Sequence, residues 1–243
     1  MPCKEGVYRV VTPELAGTPQ SPYRAPDKAN ASPVAPLFPY RRRLLATCRG
    51  EISVEGPLPP ERLAALQMDP GLKSFRPPER QKEALKEIAS LPRGAVVAAL
   101  VQETIVGYVT FHPPDEFERW ARGGLQNLLE LGAIEISPHW RRLGIASALL
   151  ETAFADGALD DYIVISPEYY WHWDLEGTGL SIWQYRKVLQ SIMGRVGLEP
   201  RPTDDPEISS HPANMLMVRL GPRVPREDVI RFEQLRYPER PIL

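Results

Sequence analysis

The chain has 243 residues and a formal net charge of −2, with 29 basic side chains against 31 acidic ones. That balance argues against non-specific nucleic-acid binding, and no apolar run approaches the roughly 18 residues that a membrane span needs. The two cysteines, Cys3 and Cys48, make neither a disulfide framework nor a metal site, and the first residues lack the apolar core of a signal peptide. The composition therefore predicts a cytoplasmic protein that holds no metal, and it leaves the oligomeric state open.

Residues 1–40 contain eight of the 27 prolines, with sparse charge and no hydrophobic periodicity. This composition predicts an extended or disordered tail. Two interpretations of the tail are open, a segment without a role and a docking segment for a partner. We expect the folded domain over residues 41–221, followed by a C-terminal extension at 222–243 that can form a helix.

Hydrophobic periodicity predicts strands and helices from residue 51 onward. Prolines open the two early helices, and apolar runs bounded by turn residues form the strands. In chain order we expect a strand at 51–55, helices from 59 and from 77 to about 90, strands at 95–101 and 104–111, an irregular connection at 115–130, a strand at 131–137, a helix at 144–155, a strand at 162–166, a helix at 182–196, strands at 199–203 and 214–220, and a helix at 225–235.

The most informative stretch runs from Ile134 to Ala146, where an apolar strand ends at a proline and a short basic turn leads into a helix. A helix N-terminus carries unsatisfied N–H groups and about half a positive charge, and small residues at Gly144 and Ala146 let a bulky anion approach them. Arg141 and Arg142 add formal charge. The turn is therefore predicted to cradle a diphosphate. An ordinary turn between a strand and a helix is the alternative.

The pattern Arg141-x-x-Gly144-x-Ala146 after a strand resembles motif A of the GNAT acetyltransferases. This resemblance implies a GNAT fold, which is an α/β (α+β) fold with a mixed, mostly antiparallel sheet flanked by helices. It also implies acetyl-coenzyme A (acetyl-CoA) as the co-substrate. The residues that it assigns to co-substrate binding are Ile136, Ser137, Arg141, Arg142, Leu143, Gly144, Ile145, Ala146 and Ser147.

Longer segments are similar to one family within that superfamily, the acetoin-utilisation protein acetyltransferases of Bacillus-type bacteria. The similarity spans about residues 50–221 and is carried by phrases such as GAIEISPHWR, YIVISPEYYWHWDLEGT, WQYRK, TDDPEISSHPAN and MVRLG. It implies a protein lysine acetyltransferase that modifies a lysine of acetyl-CoA synthetase and lowers the activity of that enzyme.

Acetyl transfer to a lysine needs a base, because a lysine pKa near 10.4 makes the neutral amine unfavourable by about 4–5 kcal/mol at pH 7. Glu135 is the candidate, since it lies among apolar residues in the strand that leads to the cradle. A carboxylate that faces solvent or pairs with an arginine is the alternative. The resemblance further implies the backbone N–H of Ile136 as a donor to the developing oxyanion.

The proton donor to the leaving thiolate is the least defined part of the predicted chemistry. Many GNAT enzymes use a tyrosine there, and Met193 occupies the matching position in this chain. Tyr169 and Tyr170, just after the strand at 162–166, are candidates to replace it, and Tyr185 is a third. A thiolate that leaves without assistance is the alternative.

Aromatic and acidic segments are predicted to bind the acceptor. Trp171 and His172 can grip a lysine stem, and Asp204 and Asp205, with His211 nearby, can attract its ammonium group. The alternatives are core packing by the tryptophan, turn capping by the aspartates and structural hydrogen bonding by the histidines.

Two other functions stay open at this level. The first is an acetyltransferase for a small amine, which a closed acidic pocket would favour. The second is an acetyl-CoA-sensing protein that binds a partner without catalysis, which is favoured by Met193 at the tyrosine position.

Overall fold

The computed structural model describes residues 10–11 and 36–238, which form a ten-stranded sheet with helices on both faces. The strands are β1 Val10–Val11, β2 Arg41–Thr47, β3 Gly50–Gly56, β4 Gln67–Met68, β5 Ala95–Val101, β6 Thr104–His112, β7 Leu128–Ile136, β8 Ile163–Glu168, β9 Glu199–Arg201 and β10 Met215–Leu220. The α-helices are α1 Pro60–Ala65, α2 Pro78–Ser90, α3 Ile145–Phe154, α4 Leu175–Thr178, α5 Ile182–Gly194, α6 Pro206–Ser209 and α7 Arg226–Arg236.

The strand order is β2-β3-β5-β6-β7-β8-β10-β9, with β1 paired to β7 and β4 paired to β6. Among the described strands only β4–β6 and β7–β8 are parallel pairs. The expected mixed, mostly antiparallel sheet flanked by helices is therefore confirmed.

The strands differ from the prediction at three places. β2 and β4 are not predicted by periodicity, because β2 begins with three arginines on an exposed edge of the sheet and β4 has two residues. β7 begins at Leu128 instead of 131, which moves Glu130 from the predicted connection into the sheet. The predicted tail lies outside the described residues except for β1 and residues 36–40.

Two apolar layers cover the sheet. On one face α3 and α5 pack through Leu149 and Leu189, and on the other α1 and α2 pack through Leu63 and Leu85. Full burial of each of these side chains stabilises the fold by about 1.5–3 kcal/mol. None of the helices in the described part of the chain is long and apolar enough to cross a membrane.

The helix expected near the C-terminus is present as α7 and packs on the sheet. Phe232 is fully buried and stacks on Trp120, with ring centroids 6.0 Å apart. Arg236 Nη1 donates a 2.6 Å hydrogen bond to the Pro202 carbonyl. The helix therefore holds the loop that precedes β10, while the boundary placed at residue 221 stays a prediction.

Candidate active site

The parallel strands β7 and β8 separate towards their carboxyl ends, and β1 lies along the β7 edge of the resulting gap, which we call the cleft. The two strands pair over three residues, the last pair being Glu130 with Ile165, and then separate. At the point of separation the Ser166 hydroxyl donates a 2.9 Å hydrogen bond to the Leu131 carbonyl. Ligands of open α/β sheets bind outside the carboxyl ends of parallel strands, so the candidate site begins here.

A β-bulge in β7 sets which side chains share a face of the sheet. Thr110 pairs with Ala133 and Phe111 with Leu131, so Gly132 has no partner on β6. The extra residue shifts the alternation of faces by one. As a result Glu130 and Glu135 lie on the same face of β7, although five residues separate them.

The predicted diphosphate cradle forms at the end of β7 as a turn with two left-handed residues. Arg142 has φ of 62° and Gly144, the N-cap of α3, has φ of 76°. Left-handed φ is strained for most side chains and suits glycine. Successive N–H groups in such a turn form a concavity that binds anions, and the N-terminus of α3 adds its partial positive charge. The turn is thus suited to binding an anion, and its role as a diphosphate cradle stays a prediction.

Most of the residues assigned to co-substrate binding lie at this turn, but Ser137 has other partners. Its hydroxyl donates to Asp69 Oδ1 over 2.7 Å, and its N–H donates to the Val106 carbonyl over 2.9 Å. The hydroxyl therefore holds the strand end to the loop before α2, and the N–H holds it to β6. Of the others, Arg142 is exposed, Arg141, Leu143, Gly144 and Ser147 are half-buried, and Ile145 and Ala146 are buried.

The N–H of Ile136 is directed into the cleft. Ser137 bonds to Val106 on β6, and neighbouring residues of an antiparallel pair alternate in direction, so Ile136 turns its N–H away from β6. That direction is the one an oxyanion donor requires. β1 runs along the same edge of β7, opposite Ala133 and Ile134.

Glu135 is 1% exposed and accepts two hydrogen bonds. The hydroxyl of Tyr108, directly opposite on β6, lies 2.6 Å from Oε2, and the N–H of Ser74 lies 2.8 Å from Oε1. These two bonds fix the orientation of the carboxylate within the sheet. The carboxylate neither faces solvent nor pairs with an arginine among the described residues, and its role as base stays a prediction.

A pair of carboxyl groups lies on the same face as Glu135, where β7 and β8 separate. Glu130 is fully buried and lies beside the carboxyl group of Glu118. Burial, and then the nearby carboxyl groups of Glu118, Asp115 and Glu168, raise the pKa of Glu130 well above its ordinary value. Burial also raises the pKa of Glu118. The raised pKa values favour the protonated form of both groups.

No positive charge compensates this pair within the described part of the chain. None of the ion pairs between described residues includes Glu118 or Glu130. His112, directly opposite Glu130, turns Nδ1 towards the Pro113 carbonyl at 2.8 Å, and burial lowers the pKa of its ring. A Cβ on Gly132 would lie 2.1 Å from His112 Nε2, so the glycine of the bulge makes room for this neutral ring.

Glu168, at the end of β8, presents a third buried carboxyl group on the opposite face of the sheet. The Ser166 hydroxyl donates to its Oε1 over 3.0 Å. Burial raises the pKa of Glu168 well above its ordinary value, which favours its protonated form. Ser166 and Glu168 lie on the same face of β8 as Val164, which packs in the α3–α5 layer together with Met193.

The tyrosines predicted as proton donors are held by other groups. Burial, and then the carboxylates of Glu207 and Asp205, raise the pKa of Tyr169, whose hydroxyl bonds to Glu207. The Tyr170 ring lies 4.2 Å from the ring of His211. Tyr185 is buried and stacks on Trp173 at 5.3 Å. A phenol with a raised pKa gives up its proton less readily, which disfavours Tyr169 as the donor, and the roles of Tyr169 and Tyr170 stay predictions.

The aromatic side chains of the segment after β8 differ in their exposure to solvent. Trp171 is 44% exposed and stacks on Tyr169, with centroids 5.0 Å apart, and the His172 ring meets the same tyrosine edge-on at 5.9 Å. Core packing therefore describes the buried Trp173 and not Trp171. His211 Nδ1 accepts the Ala213 N–H over 3.1 Å, which is a structural hydrogen bond.

Asp204 and Asp205 have an arginine partner. Arg119 Nη1 lies 2.6 Å from Asp204, and Arg119 Nε lies 3.2 Å from Asp205. Asp205 also caps α6, accepting the N–H groups of Glu207 and Ile208 at 3.0 and 3.2 Å. The guanidinium offsets one of these two negative charges, whereas Glu118, Glu130 and Glu207 form no ion pair among the described residues.

Glu118, Glu130 and Glu168 are candidate residues that the sequence analysis misses. Glu130 fell in a predicted connection because the strand was placed three residues too late. The signal was available, since Leu128 and Leu129 extend the apolar run and leave Glu130 as an isolated charge inside a strand, like Glu135. Nothing in the sequence indicates that Glu118 meets it.

Comparisons with known proteins agree with this geometry. Residues 61–166 match the family described as "Acetyltransferase (GNAT) family". The acetoin utilization protein AcuA of Bacillus licheniformis is 47% identical over 201 residues, which cover 83% of this chain and 96% of that protein. Its counterpart in Bacillus subtilis is 45% identical with the same coverage. The crystal structure of an acetoin utilization protein from Exiguobacterium sibiricum superposes with a TM-score of 0.80 at 47% identity, covering 82% of this chain and 94% of that one.

These matches identify the general chemistry of the protein. GNAT acetyltransferases use acetyl-CoA, so the chain is an acyltransferase whose co-substrate is acetyl-CoA. The chain belongs to the acetoin utilization protein AcuA family of GNAT acetyltransferases.

Proposed function

We propose that this acetyltransferase modifies a lysine of acetyl-CoA synthetase and thereby lowers the activity of that enzyme. The observation that carries the lysine assignment is the Glu118–Glu130 pair, a buried acidic site without a compensating cation among the described residues. A lysine ammonium on its long apolar stem supplies the missing charge. The choice of acetyl-CoA synthetase as the acceptor protein rests on the resemblance to the acetoin-utilisation protein acetyltransferases, from which this acceptor was predicted.

Exposed aromatic groups near this acidic site favour a protein acceptor over a small amine. Phe117, next to Glu118, is 80% exposed, and Trp171 is 44% exposed above Tyr169. Large apolar side chains at an open rim are typical of surfaces that bind another protein. A closed pocket for a small amine would bury these rings.

The chain's own carboxyl groups can accept and donate the protons that the reaction transfers. The Glu118–Glu130 pair, in which burial raises both pKa values and so favours uptake of a proton, is the candidate to accept a proton from the bound ammonium. Glu135, the base favoured by the sequence, is the alternative acceptor and is held in place by hydrogen bonds from Tyr108 and Ser74. Glu168, whose raised pKa favours its protonated form, is the candidate on the other face to donate a proton to the leaving group.

The experiment that tests the function is intact-mass spectrometry of purified acetyl-CoA synthetase after incubation with this protein and acetyl-CoA. We expect one added acetyl group on a single lysine and a matching loss of synthetase activity. A synthetase in which that lysine is replaced by arginine should gain no mass. An unchanged mass, with binding of coenzyme A demonstrated in the same preparation, would overturn the proposed acceptor.

The same assay separates the two candidate bases. If the Glu118–Glu130 pair receives the proton, Glu130→Gln should slow acetylation by at least about 100-fold at pH 7, while Glu135→Gln should keep most of the rate. The reverse result assigns the base to Glu135. Thermal unfolding of both variants excludes loss of the fold as the cause.

A further inference from the structure

An ion pair joins the diphosphate cradle to the aromatic segment on the acceptor side of the cleft. Arg141 Nη2, in the turn after β7, lies 2.6 Å from Asp174 Oδ2, in the segment after β8. The side chains are 13% and 24% exposed, so water screens the pair only in part. Asp174 is also the N-cap of α4 and accepts the Gly177 N–H over 2.9 Å.

The rest of the Arg141 guanidinium is placed for a further acceptor. Its Nε contacts the Ile136 carbonyl at 3.4 Å, and its Nη1 is buried without a hydrogen-bond partner in the described structure. A buried guanidinium N–H without an acceptor is unfavourable by more than an ordinary hydrogen bond. The turn that carries Arg141 ends at the left-handed Gly144 and the positive end of α3, where an anion is favoured.

We propose that Asp174 is a positioning residue, which holds the Arg141 guanidinium with Nη1 directed at the diphosphate of acetyl-CoA. Because the same carboxylate caps α4, the occupied cradle also holds the aromatic segment 169–174 in place. Co-substrate binding and order on the acceptor side are therefore coupled through one ion pair. The coupling is reciprocal, since each site must change the affinity of the other by the same factor. It depends on acetyl-CoA as co-substrate and not on the identity of the acceptor.

The test uses Asp174→Asn in the full chain, because asparagine also caps helices well and keeps the shape of the side chain. Coenzyme A affinity is measured by titration calorimetry beside that of pantetheine, which lacks the diphosphate. We expect Asp174→Asn to weaken coenzyme A binding by about tenfold and to leave pantetheine binding unchanged. Arg141→Gln should weaken it at least as much, and the double variant should be no weaker than Arg141→Gln alone.

A matched control comes from a remote ion pair of the same kind. Arg219 Nη2 and Asp160 Oδ1 have side chains that are 15% and 18% exposed. Asp160→Asn should lower the unfolding temperature and leave coenzyme A affinity as it is. Equal weakening of coenzyme A and pantetheine by Asp174→Asn, or additive losses in the double variant, would overturn the positioning role.

Hydrogen exchange tests the coupling without any acceptor. In the native chain, saturating coenzyme A should slow amide exchange across residues 169–179. In Arg141→Gln at saturating coenzyme A that protection should be lost. If Arg141→Gln keeps the full protection, the coupling through Asp174 is wrong, whatever the acceptor protein proves to be.

Discussion

The hydroxyl of Tyr108 donates a 2.6 Å hydrogen bond to Glu135 Oε2 across two directly opposed residues of β6 and β7. Both side chains are at most 1% exposed, so the bond is made in a medium where an unpaired charge is strongly unfavourable. It fixes the carboxylate that the sequence predicts to be the base, and it joins β7 to β6.

Removal of the Tyr108 hydroxyl should destabilise the protein measurably. Tyr108→Phe leaves the buried carboxylate with one donor, the N–H of Ser74, and should lower the free energy of unfolding by about 1–3 kcal/mol in urea titrations. Thr110→Val is a control on the same strand, since the buried Thr110 hydroxyl makes no hydrogen bond among the described residues. A Tyr108→Phe protein as stable as the native one would show that the bond contributes nothing to stability.

The buried carboxyl group of Glu168 should make the protein less stable as pH rises. Its pKa is raised in the folded state above the ordinary 4.5, so the folded protein binds more protons than the unfolded chain above that pH. Stability is then lost from about pH 4.5 upward, by at most about 1.4 kcal/mol per pH unit. Glu168→Gln, which resembles the neutral acid, should flatten this fall in unfolding temperature between pH 5 and pH 8. Ser166→Ala keeps the carboxyl group and should retain the fall.

Arg119 should stabilise the loop that precedes β10. It pairs with Asp204 and Asp205, and Arg119→Ala leaves these two carboxylates without their cation. Loss of one partner from a partly buried pair is expected to destabilise by about 3 kcal/mol. Arg231→Ala removes a more exposed arginine that pairs with Asp228, and should change stability by less than about 1 kcal/mol. Equal effects of the two variants in thermal unfolding would contradict this difference.

The C-terminal helix should contribute to the stability of the whole sheet. Phe232→Ala opens a cavity against Trp120 and is expected to lower the free energy of unfolding by about 3–5 kcal/mol. Ile230→Ala, on an exposed position of the same helix, should change it by less than about 0.5 kcal/mol. If Phe232→Ala unfolds like the native protein, α7 is an appendage and the predicted domain end at residue 221 gains support.

The sequence by itself determined the features that depend on local patterns. The apolar runs predicted β5, β6, β8 and β10, and the prolines and small residues predicted where α1, α2 and α3 begin, because these signals act within one element. The basic Gly-x-Ala turn predicted an anion cradle for the same reason, and the resemblance of longer segments identified the family. Edge strand β2 escaped prediction, since an exposed edge imposes no apolar alternation.

Only the tertiary structure decided which chemical groups meet. The bulge at Gly132 puts Glu130 and Glu135 on one face, whereas a spacing of five residues in a regular strand would put them on opposite faces. Glu118 reaches Glu130, Arg119 pairs with Asp204 and Asp205, and Arg141 pairs with Asp174, all through contacts between residues distant in the chain. Burial and charge of a side chain depend on these long-range partners, and no local pattern in the sequence encodes them.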